Sequence, residues 1–274
     1  MTPSYLAPFS LHQPPFAKDL PDEELFLPPS KEGLLGELLE ALHARGSVLL
    51  CGEPGVGKTC LLRALRHRLT EPANRFRLTY CHNATLGRRD FYRQLCLALG
   101  LTPSATAAGV FYAVSTHVQM LATERTHPVF LLDEAHLLHQ DTLDHLHILL
   151  NYEWDSQPLL SLILVGLPEL ADRLALRKNR SLLSRLHTRL RIEPLLPTDT
   201  AEYLRLRLRR AGCDRDLFDP DALALLHQAT QGAMRDLDRL ATHALRLAAA
   251  KKRRLIDRPI VSQVLSIDSQ DPAE

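Results

Sequence analysis

The sequence lacks the features that mark secreted, zinc-binding and membrane-spanning proteins. Its five cysteines are an odd number and form no CxxC pair, which argues for reduced thiols and against a disulfide framework or a zinc site. The longest uncharged apolar stretch, Leu159–Leu167, is far shorter than the ~20 residues of a membrane-spanning helix and predicts a buried strand. The amino terminus shows no basic start followed by an apolar segment. We therefore expect a cytoplasmic bacterial protein with no membrane partner.

An excess of charge of one sign is also missing. The 33 basic and 32 acidic residues give a formal net charge of +1, so any nucleic-acid surface must come from local clustering. With 45% apolar and 24% charged residues, the chain of 274 residues has the composition of an ordinary globular protein that can bury a core.

Four segments of different character follow one another. Residues 1–29 hold seven of the 18 prolines, which predicts an extended Pro-rich arm, either docked on the body of the protein or loose. Residues 30–195 alternate strand and helix patterns, which predicts an α/β domain with a parallel sheet covered on both faces. Residues 196–267 have only helical patterns and predict a helical lid domain, and residues 268–274 form a tail.

The apolar periodicity places the individual elements. Ser30 is predicted to cap the first helix, and Asp199–Glu202 has the spacing of a capping box at the start of the lid. The alternation of leucine and arginine over Leu204–Arg209 also fits a strand, but Leu204, Leu208 and Ala211 share a helical face behind the cap, which favours a helix. The predicted strands are Ser47–Cys51, Phe76–Cys81, Val129–Asp133, Leu159–Gly166 and Leu190–Glu193; the predicted later helices lie near 89–99, 105–125, 140–152, 220–229, 234–250 and 257–267.

A phosphate-binding loop follows the first predicted strand and leads into a helix. Its GxxxxGKT pattern spans Gly52–Thr59, and in this context the match is specific for a nucleoside triphosphate. The glycines let the backbone turn and point N–H groups at phosphate oxygens. Lys58 is predicted to contact the terminal phosphates, and Thr59 to offer its hydroxyl to Mg²⁺. The predicted ATP-binding residues are Gly52, Glu53, Pro54, Gly55, Val56, Gly57, Lys58, Thr59, Cys60 and Arg235.

Two adjacent carboxylates end the third predicted strand. Asp133 is predicted to hold Mg²⁺, and Glu134 to orient or deprotonate the attacking water. An apolar strand that ends in two acids is common, but its position downstream of a phosphate loop predicts the second half of an ATPase site. Four histidines follow closely, and we interpret them as solvated or helix-capping groups rather than metal ligands: His136, His139, His145 and His147.

The combined motifs resemble those of AAA+ ATPases. Beside the phosphate loop and the Asp133–His136 segment, the resemblance rests on Leu164–Leu170 and on the helix start Gly232–Arg235. The ExeA-like branch is the most similar, and it includes TniB/TnsC-type regulators of DNA transposition. Gln13–Phe16 and Asn151–Glu153 also resemble that branch.

The resemblance implies a five-stranded P-loop sheet with a helical lid, assembled with further copies of itself into a ring or filament. Arg185, with Arg189 as the alternative, would be the finger that reaches the neighbour's γ-phosphate. Arg235 would be the lid arginine on the subunit's own nucleotide. Leu167 stands where the family often has a polar residue that helps to position water, so hydrolysis could be slow or could use another group.

Three functions follow as hypotheses. Because the chain ends without the membrane segment and envelope domain of ExeA, the main prediction is an ATP-dependent regulator of transposition. It would assemble on double-stranded DNA in the nucleoid and recruit a transposase or related transposition protein. Arg88 and Arg89 are its predicted DNA contacts, projecting from a loop after the second strand. The alternatives are an ATPase that assembles or remodels protein partners without DNA, as in secretion, and a switch that binds ATP without turnover.

Overall fold

A computed structural model describes most of the chain. The described residues are 4–70, 75–81, 87–102, 106–152 and 156–269. Residues 270–274 of the predicted tail, and Glu153 of the segment that resembles the ExeA-like branch, lie outside them. The described chain divides into two compact units, one formed by Pro29–Glu53 and Leu61–Ile192, and the other by Met1–Pro28, Pro54–Cys60 and Glu193–Glu274. Within the described residues, no helix combines the length and hydropathy that crossing a membrane requires.

The first unit is built on a five-stranded sheet with the strand order β2-β3-β4-β1-β5. Every paired neighbour is parallel. All residues of β1, β3 and β4 are buried, which explains why these strands are continuous apolar runs rather than alternating ones. The strands are β1 (Val48–Cys51), β2 (Phe76–Cys81), β3 (His127–Leu132), β4 (Ser161–Gly166) and β5 (Thr188–Arg191).

Helices cover this sheet. Their apolar faces and the strands share a buried core that includes Phe91, Val114, Phe130 and Leu164. Short 3-10 helices at Ala135–Leu137 and Arg177–Asn179 connect the elements. The helices are α1 (Pro29–His43), α2 (Lys58–Leu69), α3 (Arg88–Ala98), α4 (Ala107–Thr123), α5 (Gln140–Leu149), α6 (Glu169–Ala175) and α7 (Arg180–Leu183).

The second unit joins the amino-terminal arm to four helices. These are α8 (Pro197–Arg210), α9 (Pro220–Thr230), α10 (Met234–Ala250) and α11 (Arg258–Asp268). The arm contains two 3-10 helices, and its apolar side chains belong to the same buried core as the helices: Leu6, Phe9, Leu11, Phe16 and Phe26. The main-chain N–H of His12 donates to the Ala211 carbonyl at 2.8 Å, so backbone as well as side chains hold the arm.

Several predicted element ends differ from the structure. Helix α1 begins at Pro29, so Ser30 lies inside the helix and does not cap it; proline suits a first turn because it has no N–H to leave unpaired. Helix α8 begins at Pro197, and Asp199 lies in its first turn, where the carboxylate accepts the Leu196 N–H at 3.4 Å. Strand β5 was predicted to begin at Leu190 but begins at Thr188, because Thr188 already pairs with Val48 of β1.

Candidate functional site

The phosphate loop leaves the end of β1 and enters α2, which begins at Lys58. Its start is fixed by the Gly52 N–H, which donates to the Gly166 carbonyl at 3.2 Å. Gly55 and Gly57 have φ angles of 78° and 101°, a region that favours glycine. A chain that reverses through such glycines directly before a helix amino terminus is suited to bind phosphate oxygens with backbone N–H groups.

The loop contacts the first turn of α10. The Arg235 N–H donates to the Gly55 carbonyl at 3.3 Å. A Cβ on Gly55 would lie 3.1 Å from the Arg235 Cβ, so this tight contact as well as the φ angle favours glycine. The sequence predicted Arg235 as a nucleotide contact, and its backbone touches the loop. Cys60, in the first turn of α2, packs against the helical core.

Asp133 follows β3 and is buried, with 9% of its surface exposed. One of its carboxylate oxygens accepts the Tyr80 hydroxyl at 3.0 Å, and the other accepts the Glu134 N–H at 2.9 Å. Burial and the negative charge of Asp133 raise the pKa of Tyr80 to about 12, so the hydroxyl stays protonated and donates. These two donors fix the direction of a carboxylate that keeps lone pairs for a cation.

Glu134 has a left-handed backbone with φ of 51°, which is uncommon for a residue with a side chain. Its carboxylate is half exposed and lies 3.6 Å from the Nε2 atom of His136. Non-glycine residues in this conformation persist where the surrounding structure holds them, and they concentrate at functional sites. The turn after β3 therefore presents Glu134 outward while Asp133 stays buried.

The carboxyl ends of β1, β4 and β3 lie side by side, because the strands are parallel neighbours. The phosphate loop and the Asp133–Glu134 pair thus both begin at one edge of the sheet, where open α/β sheets bind ligands. The Asp133 carboxylate at this edge is a hard oxygen donor of the kind that Mg²⁺ requires.

Sequence reasoning missed two residues of this edge, Tyr80 and His136. Tyr80 lies near the end of β2 and is paired in register with Leu131, two residues before Asp133. The available signal was its place near the end of a predicted strand. His136 was interpreted as a solvated or capping histidine, but it is half-buried and approaches Glu134.

The two candidate finger arginines occupy different places. Arg185 precedes β5 and lines a cleft with Arg45 and His187 at the amino ends of the strands; its guanidinium donates to the Ser181 carbonyl at 3.0 Å. Arg189 was predicted to precede β5 but lies inside it, opposite Leu49. The pairing with β1 extends the strand to include it.

Arg88 and Arg89 are exposed and open α3 rather than a loop. Residues 82–86, which precede this helix, lie outside the described residues. The Arg88 guanidinium lies 2.8 Å from the His145 Nε2 atom on α5. In the ranges that the structure describes, His, Cys, Asp and Glu side chains form no group of three or more that could hold a metal ion.

Comparisons of the sequence show a likeness to AAA proteins. A family model described as an AAA domain matches residues 39–174. General secretion pathway protein A of Aeromonas hydrophila is 32% identical over 247 residues, which are 89% of this chain and 44% of that protein. The chain thus spans less than half of this curated relative. These matches support the predicted AAA+ class, but they do not confirm the TniB/TnsC-type branch.

Solved structures share the fold. A Drosophila ORC chain bound to DNA has a TM-score of 0.72 at 18% identity, covering 100% of this chain and 70% of that one. Aeropyrum pernix ORC1 in complex with DNA has a TM-score of 0.66 at 21% identity, over 92% and 69%. Thermotoga maritima RuvB, a Holliday junction branch migration motor, has a TM-score of 0.61 at 18% identity, over 93% and 73%. The predicted fold class, a P-loop AAA+ sheet with flanking helices, is confirmed.

Proposed function

We propose that the chain, whose residues 39–174 match an AAA domain and which has a P-loop AAA+ fold, is an ATPase that assembles or remodels a protein partner. The observation that carries the ATPase part is the common edge of the sheet, where β1 leads into the glycine turn and β3 leads into Asp133 and Glu134. Both the phosphate-binding and the carboxylate elements of ATP hydrolysis start there.

Each residue of this edge takes one role in the proposal. Lys58 and the loop N–H groups bind the phosphates, and Thr59 and Asp133 would hold Mg²⁺. When bound, Mg²⁺ supplies positive charge to the phosphate oxygens. Glu134 accepts a proton from the attacking water, and its outward presentation suits that task. Arg235 contacts the nucleotide of its own subunit.

A protein partner is supported by the likeness to General secretion pathway protein A, whose name places it in secretion. Further copies of this chain are the second proposed partner. Arg185 lies at the amino ends of the strands, whereas Glu134 lies beyond the carboxyl end of β3. Since a strand of the length of β4 spans roughly 20 Å, Arg185 cannot reach the site of its own subunit and would serve a neighbour.

Two substitutions test the ATPase proposal. Glu134→Gln should bind ATP like the parent but lower phosphate release by about 100-fold or more, because the proton acceptor is lost. Lys58→Ala should weaken ATP binding by about 10- to 100-fold, because a charge-assisted phosphate contact disappears. Fluorescence titration with a labelled ATP measures binding, and Glu37→Gln on the exposed face of α1 is the control. Phosphate release by Glu134→Gln at the parental rate would contradict the role of Glu134.

Binding of double-stranded DNA is the second candidate function, favoured by exposed basic residues in the sheet unit. Besides Arg88 and Arg89, three exposed cations follow α6: Arg177, Lys178 and Arg180. In an ATP-built ring or filament this surface would repeat along the phosphate backbone, so that weak contacts add. A transposase or related transposition protein would then be the recruited partner.

A filter-retention assay with duplex DNA distinguishes the two functions. It compares ATP, ADP and a non-hydrolysable analogue at two salt concentrations. A DNA-binding oligomer should retain duplex only with the triphosphate, lose it steeply as salt rises, and lose it in Arg88→Ala/Arg89→Ala. Arg209→Ala on the exposed face of α8 is the control. Negligible retention by oligomers that light scattering confirms would reject the DNA function and leave the protein partner.

A further inference from the structure

His136 lies between the candidate water-activating residue and the end of β4. Its Nε2 atom is 3.6 Å from a carboxylate oxygen of Glu134. On the other side of the ring, the Leu167 N–H donates to Nδ1 at 3.5 Å. The His136 side chain is 16% exposed and that of Glu134 is 51% exposed, so the ring forms the inner wall against which the carboxylate rests.

The contact with Leu167 determines which ring nitrogen carries the proton. A nitrogen that accepts a hydrogen bond from a main-chain N–H is unprotonated, so Nδ1 has no hydrogen. The neutral ring then carries its hydrogen on Nε2, the atom that faces Glu134. His136 is therefore arranged to donate to the Glu134 carboxylate. Such contacts are often long without substrate and shorten when the substrate binds.

The ring is held in place from several directions. A Cβ on Gly166 would lie 3.3 Å from both the main-chain nitrogen and Nδ1 of His136, so the histidine packs directly on a residue without a side chain. The Arg173 guanidinium donates to the His136 carbonyl at 3.0 Å, and the Asn179 amide donates to the Arg173 carbonyl at 2.8 Å. A group held by its ring, its backbone and a second layer of hydrogen bonds can fix the direction of a neighbour.

The end of β4 offers no polar side chain for this task, because Leu167 is apolar. We propose that His136 is the positioning residue of Glu134: it receives its orientation from the Leu167 N–H and directs the carboxylate through its Nε2 hydrogen. This inference rests on the proposed ATPase function of Glu134. In this role His136 acts through Glu134, so it should affect the rate of hydrolysis and leave ATP affinity unchanged.

Ring ¹⁵N chemical shifts test the arrangement without nucleotide. In the chain of 274 residues, His136 should show the tautomer with hydrogen on Nε2, and Glu134→Gln should shift the Nε2 resonance while leaving those of the other histidines in place. A resonance typical of hydrogen on Nδ1, or one that does not respond to Glu134→Gln, would overturn the proposal. This measurement does not depend on ATP hydrolysis, so it tests the position of His136 even if the parent protein is inactive. An inactive parent would reject the proposed ATPase function and not the contact between His136 and Glu134.

Kinetics give the second test. His136→Ala should lower kcat by about tenfold, equivalent to 1.4 kcal/mol, with unchanged affinity for labelled ATP. Replacing Leu167 by Asn in the same chain should restore part of kcat, because a polar group then stands at the end of β4. His67→Ala on the exposed face of α2 is the control. A parental kcat in His136→Ala, or a loss of kcat that Leu167→Asn fails to relieve in a folded protein, would overturn the proposal.

Discussion

Asp238 on α10 is a partly buried carboxylate that the proposed ATPase chemistry does not use. It accepts the hydroxyl of Tyr203 on α8 at 2.7 Å. Burial raises the pKa of Asp238 to about 6, and the hydrogen bond from Tyr203 and the charge of Arg207 offset part of that rise. Arg207 itself is buried and donates to the carbonyl of Ala17 in the arm at 2.5 Å, so this cluster connects the arm to the helices.

The raised pKa predicts how this cluster responds to pH. The folded protein holds the Asp238 proton more tightly than the unfolded chain does, so the stabilising contribution is complete below about pH 4. It is lost as the pH rises through about 6. Asp238→Asn stays neutral and keeps an acceptor for Tyr203. Relative to the parent, its free energy of unfolding should therefore increase between pH 4 and 7.

Urea unfolding of parent and variant across this pH range measures the difference. Asp214→Asn, which removes an exposed carboxylate of the same unit, is the matched control. A constant difference between Asp238→Asn and the parent at every pH would show that Asp238 is not the group that titrates.

At the scale of elements, the turn between β1 and α2 depends on a glycine for two separate reasons. Gly55 has a left-handed φ of 78°, and a Cβ there would lie 3.1 Å from the Arg235 Cβ. Gly55→Ala should therefore destabilise the protein by about 1–2 kcal/mol for the backbone alone, and more for the contact. It should also weaken ATP binding, because the turn must open to accommodate the methyl group.

Gly36→Ala is the matched control for this prediction. Gly36 lies inside α1, where an added Cβ meets nothing within 4 Å. In a helix interior, alanine should raise stability by about 0.5–1 kcal/mol and leave ATP binding unchanged. Thermal unfolding and titration with labelled ATP measure both variants. Equal ATP affinity in Gly55→Ala and the parent would contradict the role of the turn.

Sequence periodicity was most accurate where a strand or a helix has strong local signals. Phe76–Cys81 was predicted with the bounds that the structure shows, because its apolar, β-prone residues are bounded by polar segments. The helix starts at Pro29 and Pro197 were displaced, because serine and aspartate also occur inside first turns. Whether a residue caps a helix depends on its own backbone angles, and the pattern of apolar and polar residues does not show these angles.

The candidate site was predictable only where its residues belong to one contiguous motif. The loop Gly52–Thr59 and the Asp133–Glu134 pair each carry their own signal along the chain. Tyr80 and His136 join this edge through pairing between strands and through a turn of the backbone. The sequence shows neither directly, since the neighbours of a strand depend on the order of the sheet. The same order places Arg185 at the opposite ends of the strands.

At the scale of the whole molecule, the position of Arg185 supports the proposal that hydrolysis depends on assembly with further copies of the chain. Its place at the amino ends of the strands separates it from the Glu134 of its own subunit. Transposition was predicted because this sequence contains no membrane segment and envelope domain like those of ExeA. The sequence aligns with only 44% of the secretion relative, so the point where it ends does not favour transposition over secretion. The assembly hypothesis predicts that Arg185 of one copy acts at the nucleotide bound by another copy.

Mixing variants tests this exchange between subunits. Arg185→Ala should bind ATP like the parent but lose the hydrolysis that increases with protein concentration, because its arginine serves a neighbour. Lys58→Ala should lack hydrolysis because it binds ATP weakly, although its Arg185 is intact. In a random equal mixture about a quarter of the sites combine an intact loop with an intact neighbouring arginine, so phosphate release should partly recover.

The double variant Lys58→Ala/Arg185→Ala mixed with Arg185→Ala is the control and should show no recovery. If the first mixture stays inactive although light scattering shows mixed oligomers, Arg185 is not the finger. Arg189→Ala should then be tested in the same way.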